Sequence, residues 1–400
     1  MSMQYGYQRG LLLGLVALTT MFFGPALRSA CAQTESLADW STKEYPKLNK
    51  QNVKFLGLGS AMHDGNWQDP ADEQLFADYY EKGVFPQITH YELRGTKDDV
   101  IGTLRSDFKR LEKFRSGPVF TKLVDITLEY MPKIALDPRW HPAARENAVL
   151  ALGEVKSPKT VGVLLNLIRD PKLHPMFKAA AIADLIHLAD QGVLDNPTVA
   201  DPVVTLMVAA ARARPDKPVT DEIRWRRGLA ADALGAIKST GSAGEVPSVL
   251  LAMVADKDLL VIQRGKAARA LGRLDYTNSP PDQAAFAKAF AAFGSDALVD
   301  TLPADPRRTR AVARDILAGL EPLTKLDPVP KAVKSMQEAM SKLQAAAAKA
   351  PVTLETEADR AKQDDFKDAI ANAKAVFDGL LGKEPSRGGE KRPETKPETK

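Results

Sequence analysis

Five basic side chains recur in one fixed setting: Arg145, Lys178, Arg227, Arg264 and Arg310. Such a cation can hold a carboxylate or phosphate through charge-assisted hydrogen bonds, or lay its stem along apolar surface while its head is paired internally. More basic residues crowd the later members. Arg224 and Arg226 flank Arg227, Lys266 and Arg269 follow Arg264, and Arg307 and Arg308 precede Arg310. Two readings stand side by side. The set is either a row of positive charge that recognises an acidic protein surface or polyanion, or a structural ladder paired with turn aspartates. Asp137, Asp170 and Asp256 each lie eight residues before a basic position, where a turn is expected.

Other reactive residue types form no constellation. His63-Asp64 resembles the paired ligand of metal-dependent phosphohydrolases, but His90, His141, His174 and His187 fall in unrelated contexts. The sequence therefore predicts no metal, no cofactor and no catalytic residue. No P-loop or Gly-x-Ser-x-Gly element occurs. His141 and His174 each precede a proline where a helix is expected to start, so a turn role suffices. Trp225, between Arg224 and Arg226, reads either as an exposed binding anchor or as a side chain packed under a loop.

The elements that carry the basic set follow from periodicity. Three residues after each basic position stands alanine (Ala148, Ala181, Ala230, Ala267, Ala313). Seven after stands leucine (Leu152, Leu185, Leu234, Leu271, Leu317), and ten after an aliphatic residue (Val155, Leu188, Ile237, Leu274, Leu320). Offsets of three, seven and ten share one stripe of an α-helix. The basic residue lies on that inward stripe too, which favours the ladder. The steps between copies are 33, 49, 37 and 46 residues, so loop length varies while the helix stays fixed. Each signature helix is preceded by another: Val119–Ile134, Thr160–Arg169, Val203–Ala213, Val246–Val254 and Gln283–Phe293 are the expected partners. A helix pair of this size cannot bury its apolar face alone and must stack.

Segments such as Arg145–Val155 (RENAVLALGEV) and Arg264–Leu274 (RGKAARALGRL) resemble HEAT repeats, in the flavour of bacterial phycobilisome-lyase-like proteins. Ala-Leu-Gly stands at Ala151–Gly153, Ala233–Gly235 and Ala270–Gly272. It is lost at Asp184–Ile186 and Ile316–Ala318. The resemblance implies an all-α, HEAT-like α-solenoid, a right-handed superhelix of antiparallel helix pairs whose second helices line a concave binding face. A lyase-like activity is a further implication, set against the absence of any cysteine beyond Cys31.

Residues 118–320 are the expected repeat region. Residues 33–117 form a partly helical extension: a loosely ordered arm to about residue 70, a helix at Asp72–Lys82 closed by Gly83, and a helix at Thr96–Phe114 started by Thr96. Residues 331–382 read as a helical pair that either caps the repeats or binds another chain. Residues 383–400, rich in Pro, Glu and Lys, are expected to be disordered. At the other end, Arg9, the apolar run Leu11–Phe23 and Ala30-Cys31-Ala32 predict a signal peptide over residues 1–32 and an exported protein. Lipidation at Cys31 is the alternative. The chain has 400 residues, 6% of them aromatic, with a formal net charge of +4. So small an excess does not define a nucleic-acid binder. The function expected is a non-catalytic protein-interaction scaffold outside the cytoplasm, with polyanion binding as the alternative.

Overall fold

The computed structural model describes residues 58–90, 94–95, 99–213, 219–300, 305–351 and 356–383. The expected signal peptide, Cys31, the arm over 33–57, Thr96 and all but the first residue of the tail lie outside these. Among the described residues the chain is all-helical, with no strand.

Among the described residues fifteen α-helices follow one another: α1 (Leu58–Asp64), α2 (Pro70–Tyr79), α3 (Val100–Leu111), α4 (Pro118–Leu136), α5 (Pro142–Gly153), α6 (Pro158–Arg169), α7 (Pro175–Asp190) and α8 (Pro197–Arg212). Then come α9 (Asp221–Ile237), α10 (Glu245–Ala255), α11 (Val261–Arg273), α12 (Gln283–Asp300), α13 (Pro306–Thr324), α14 (Lys331–Lys349) and α15 (Glu357–Leu380). Six of them open with proline in the first turn behind a capping side chain. Asp69, Ser157, Asn196 and Asp305 each accept a backbone N–H in this way. Proline fits there because the first-turn N–H has no intrahelical partner to lose.

The helices pack in sequence as two layers. One layer runs α2, α4, α6, α8, α10, α12, α15. The second runs α3, α5, α7, α9, α11, α13, α14. Helices of a pair also pack on each other, so a continuous core runs between the layers. Leu152, Leu185, Leu234 and Leu271 are fully buried in it, as are all five signature alanines.

The second layer is held close by small residues. A Cβ on Gly235 would meet the backbone of Ala270 on the next second-layer helix, 2.8 Å from its Cα. A Cβ on Gly272 would lie 2.7 Å from the Ala318 carbonyl carbon and closer still to its oxygen. The Ala-Leu-Gly glycine is thus the contact point between successive second helices. At the C-terminal ends of this layer the packing is tight enough for Arg273 of α11 to reach Asp190 of α7 at 3.0 Å, across α9.

Several expectations are corrected. The arm before residue 70 already contains α1, which buries Leu58, Ala61 and Met62. The helix after Pro70 does not stop at Gly83. It passes into a π turn (Tyr80–Val84) and a 3-10 turn (Phe85–Thr89), burying Tyr80, Gly83 and Phe85. The N-cap of α3 is Asp99, which accepts from Ile101 N at 3.0 Å. Helix α8 starts at Pro197, six residues before Val203, and carries Pro202 within it. Helix α12 runs through Gly294 to Asp300, because Gly294 leaves room for the ring of Phe377.

The fifth signature is out of register. Leu317 is only partly buried and Arg310 is exposed, whereas Ala313, Ile316, Leu320 and Leu323 are fully buried. Helix α13 therefore presents a face about three residues further on than the sequence alignment gives it, close to one helical turn.

The last two helices fold back on the stack. Helix α14 packs on α13, and α15 packs on α14 and α12. Ser295 of α12 donates to Asp378 at 2.6 Å, and Lys374 pairs with the same carboxylate. Burial works to raise the Asp378 carboxyl, but the bonds from Lys374 and Ser295 outweigh it and hold it below its usual range.

Candidate functional site: the second-layer helices and their basic residues

Three of the five signature cations share one geometry. Arg145, Arg227 and Arg264 each aim Nε–H at a carbonyl in the last turn of the preceding first-layer helix. The acceptors are Ala135 at 2.9 Å, Ala211 at 2.9 Å and Val254 at 2.7 Å. Those carbonyls have no intrahelical donor, and the helix dipole favours a cation there. Each arginine is thus a side-chain cap that fixes how its own helix crosses its partner.

The rest of each guanidinium is used differently. Arg227, 2% exposed, pairs with Asp256 at 2.8 Å, the turn aspartate of the following helix pair. Arg264 reaches Asp296 on α12 at 3.3 Å and lies over the Phe293 ring. Arg145 lies 4.5 Å over the Phe177 ring of α7. Burial lowers the Arg145 and Arg264 pKa values, opposed by Asp137 for the former and Asp296 for the latter. Lys178 is half-buried and Arg310 exposed; among the described residues neither has an ion-pair partner.

The turn aspartates repeat one local structure. Asp137, Asp170 and Asp256 each accept, through Oδ1, the backbone N–H two residues on, at 2.8 to 3.0 Å. Their carbonyls also accept from the residue three on. The carboxylate so closes the turn between the layers, and at Asp256 its second oxygen takes the neighbouring arginine.

The additional basic residues are mostly consumed between helices. Lys266 pairs with Asp232 at 2.6 Å. Arg269 lies 3.8 Å from Asp232 and 3.5 Å from Asp315, and Arg314 lies 3.2 Å from Asp315. Burial raises the Asp315 carboxyl, and the two arginines pull it back. Arg224 donates to the Asp258 carbonyl at 2.8 Å and pairs with Asp221. Arg226 buries Nε without a partner. Of the basic residues named above, Arg307 and Arg310 at the start of α13 are the exposed ones without an ion-pair partner among the described residues.

The histidines divide by setting. His141 and His174 are N-caps of α5 and α7, accepting through Nδ1 from Ala143 N at 3.1 Å and Met176 N at 3.2 Å. Accepting requires the neutral ring, and burial lowers both pKa values, with Arg145 adding to the effect at His174. His63 and Asp64 contact each other at 2.7 Å on an exposed surface. Among the described residues no group of three or more His, Cys, Asp or Glu could hold a metal ion. Trp225 is half-buried and packs against the core.

Sequence reasoning missed an apolar row. Two residues before the basic position stand Met176, Trp225 and Ile262 on successive second-layer helices. Met176 and Ile262 are exposed, Ile262 by 63%, and Leu260 beside it is exposed too. The signal was available in the repeat register, two residues ahead of the aligned basic positions. No family model, curated protein or solved structure matches this chain.

Proposed function

We propose that the chain is a HEAT-like α-solenoid, a right-handed superhelix of antiparallel helix pairs, and that it acts outside the cytoplasm as a non-catalytic protein-interaction scaffold. The observation that carries this reading is the unbroken second layer from α3 to α14, seven helices packed side by side. Such a layer offers one long surface on which many modest contacts add up. The close glycine contacts and the Arg273–Asp190 bridge across α9 favour a concave second layer, since helices two places apart meet only where a stack bends inward. The exposed row at Met176, Leu260 and Ile262 supplies apolar contact points on it.

Site-specific photo-crosslinking from intact cells tests the proposal. Crosslinkers at Ile186, Ile262, Arg269 and Arg310 should capture a discrete protein partner. Crosslinkers at Asp125, Gly162, Ser248 and Lys288, exposed on the first layer, should not. Equal capture from both layers, or none from the second, overturns it.

A polyanion-binding module is the second reading, favoured by exposed Arg307 and Arg310. It requires retention on heparin that falls steeply with salt and is lost in an Arg307→Ala/Arg310→Ala variant.

A further inference from the structure

Four side-chain atoms are buried without a hydrogen-bond partner among the described residues: Asn147 Oδ1, Asp184 Oδ2, Arg226 Nε and Gln263 Oε1. All four belong to second-layer helices, α5, α7, α9 and α11. The layer whose backbones approach most closely is therefore also the one with unmet polar groups. Asp184 alone among the four combines an ionisable acid with a tight crossing. Its carboxyl packs on Gly153 of α5, so closely that a Cβ there would lie 2.7 Å from Asp184 Cγ. The side chain is almost wholly buried.

The charged groups around it offer no compensation. Glu154, at the end of α5, is the one that acts on Asp184, and it carries the same sign. Glu154 is already held by Arg105 of α3, through Nε at 3.0 Å and Nη2 at 2.6 Å. On α5, Arg145 sits over the Phe177 ring. On α6, Lys159 and Arg169 are exposed. On α9, Glu222 acts on His174, and Arg226 pairs with no carboxylate among the described residues. On α7 itself, Lys178 and His187 are half-buried and Asp190 is tied to Arg273. A negative charge on Asp184 would thus be buried beside another carboxylate, with no cation acting on it and with the arginine that holds Glu154 already engaged.

We propose that the α5–α7 crossing is a pH-sensitive joint of the stack, closed when the Asp184 carboxyl is protonated and loosened when it gives its proton to solvent. Burial, reinforced by Glu154, pushes this acid well above the usual carboxylate range, so the change falls at milder pH than carboxylates ordinarily titrate. Loosening here would let the units before and after the crossing bend relative to each other.

Hydrogen exchange of the full chain, corrected for the intrinsic pH dependence of exchange, reads the joint directly. Protection of α5 and α7 amides should fall from pH 5 to pH 8, by about tenfold for each unit by which the carboxyl's folded-state value lies above pH 5. Protection in α8 and α10 should stay flat. Asp184→Asn should abolish this fall and leave only the opposite trend, the strengthening with pH of the His141 and His174 caps. A carbon-13 titration of the Asp184 carboxyl in the unmodified chain gives a second measurement that needs no variant. A midpoint at or below about 4 overturns the proposal. So does an Asp184→Asn variant whose α5 and α7 protection follows pH as the parent does.

Discussion

The stacking of second helices can be tested by making the same substitution twice with opposite expected sign. Gly272→Ala adds a Cβ 2.7 Å from the Ala318 carbonyl carbon, nearer still to its oxygen, and 3.3 Å from Gly319 Cα. Every one of these atoms is backbone, so no side chain can swing aside; α13 must move away from α11. Overpacking of a close-packed site costs about 1–3 kcal/mol, and a purely backbone clash belongs at the top of that range. Replacing glycine by alanine inside a helix returns about 1 kcal/mol. The net expectation is a loss of about 2 kcal/mol. Gly162, on the exposed side of α6, has nothing within 4 Å of its Cβ position, so Gly162→Ala should gain about 0.5–1 kcal/mol.

Urea unfolding followed by far-ultraviolet circular dichroism measures both changes as shifts in midpoint at constant slope. Because stacked units can lose two-state cooperativity, the comparison should use the first transition in each curve. The two variants should separate by about 3 kcal/mol. If Gly272→Ala proves neutral or stabilising, α11 and α13 do not meet at this glycine, and the close second layer is refuted along with the surface proposed on it.

The arginine ladder makes a similar contrast. Arg227→Met should cost about 3–5 kcal/mol because it strands the buried carboxylate of Asp256, and adding Asp256→Asn, which removes the charge but keeps the Oδ1 acceptor of the turn, should restore much of the loss in the same unfolding assay. Arg310→Met should stay within about 0.5 kcal/mol, since that side chain is exposed. The histidine caps predict acid sensitivity. Burial lowers the folded-state pKa of His141 and His174, so their contribution is full above the unfolded value of about 6.5 and is lost as pH falls from there toward the folded values. His141→Asn/His174→Asn keeps a capping acceptor without that titration, and its stability should fall less between pH 7 and pH 5. Finally, Phe377→Ala empties the space over Gly294 and should cost about 3–5 kcal/mol, with hydrogen exchange rising in α12 as well as α15.

Helix identity was legible because an apolar stripe repeated at offsets of three, seven and ten leaves one consistent face. Boundaries were less legible where proline and glycine carry two meanings. Val203 reads as a helix start, yet α8 begins at Pro197 and carries Pro202 in its second turn, where proline removes one backbone bond and leaves the rest of the helix intact. Gly294 reads as an end, yet it is a gap for a ring from a helix more than eighty residues away. No local pattern reports such a partner. The two aspartates that best define the buried network, Asp184 and Asp315, were invisible as such, since only the crossing partner turns an ordinary acid into a buried one.

The register of α13 shows why the basic row looked more uniform in sequence than it is in space. Arg310, Ala313, Leu317 and Leu320 satisfy the spacing, and so does a frame three residues on in which Ala313, Ile316, Leu320 and Leu323 point inward. A 3.6-residue period nearly repeats after three or four, so spacing alone cannot choose between adjacent turns. Burial chooses the second frame, and the consequence is chemical. In the first frame Arg310 would be a fourth cap like Arg264; in the second it is released to the surface beside Arg307. Most of the apparent positive row is therefore internal wiring, three capping arginines and a chain of ion pairs across α9, α11 and α13. At α13, where the repeat loses its register, Arg307 and Arg310 are both exposed and, among the described residues, without an ion-pair partner, so charge is left over there for something outside the molecule.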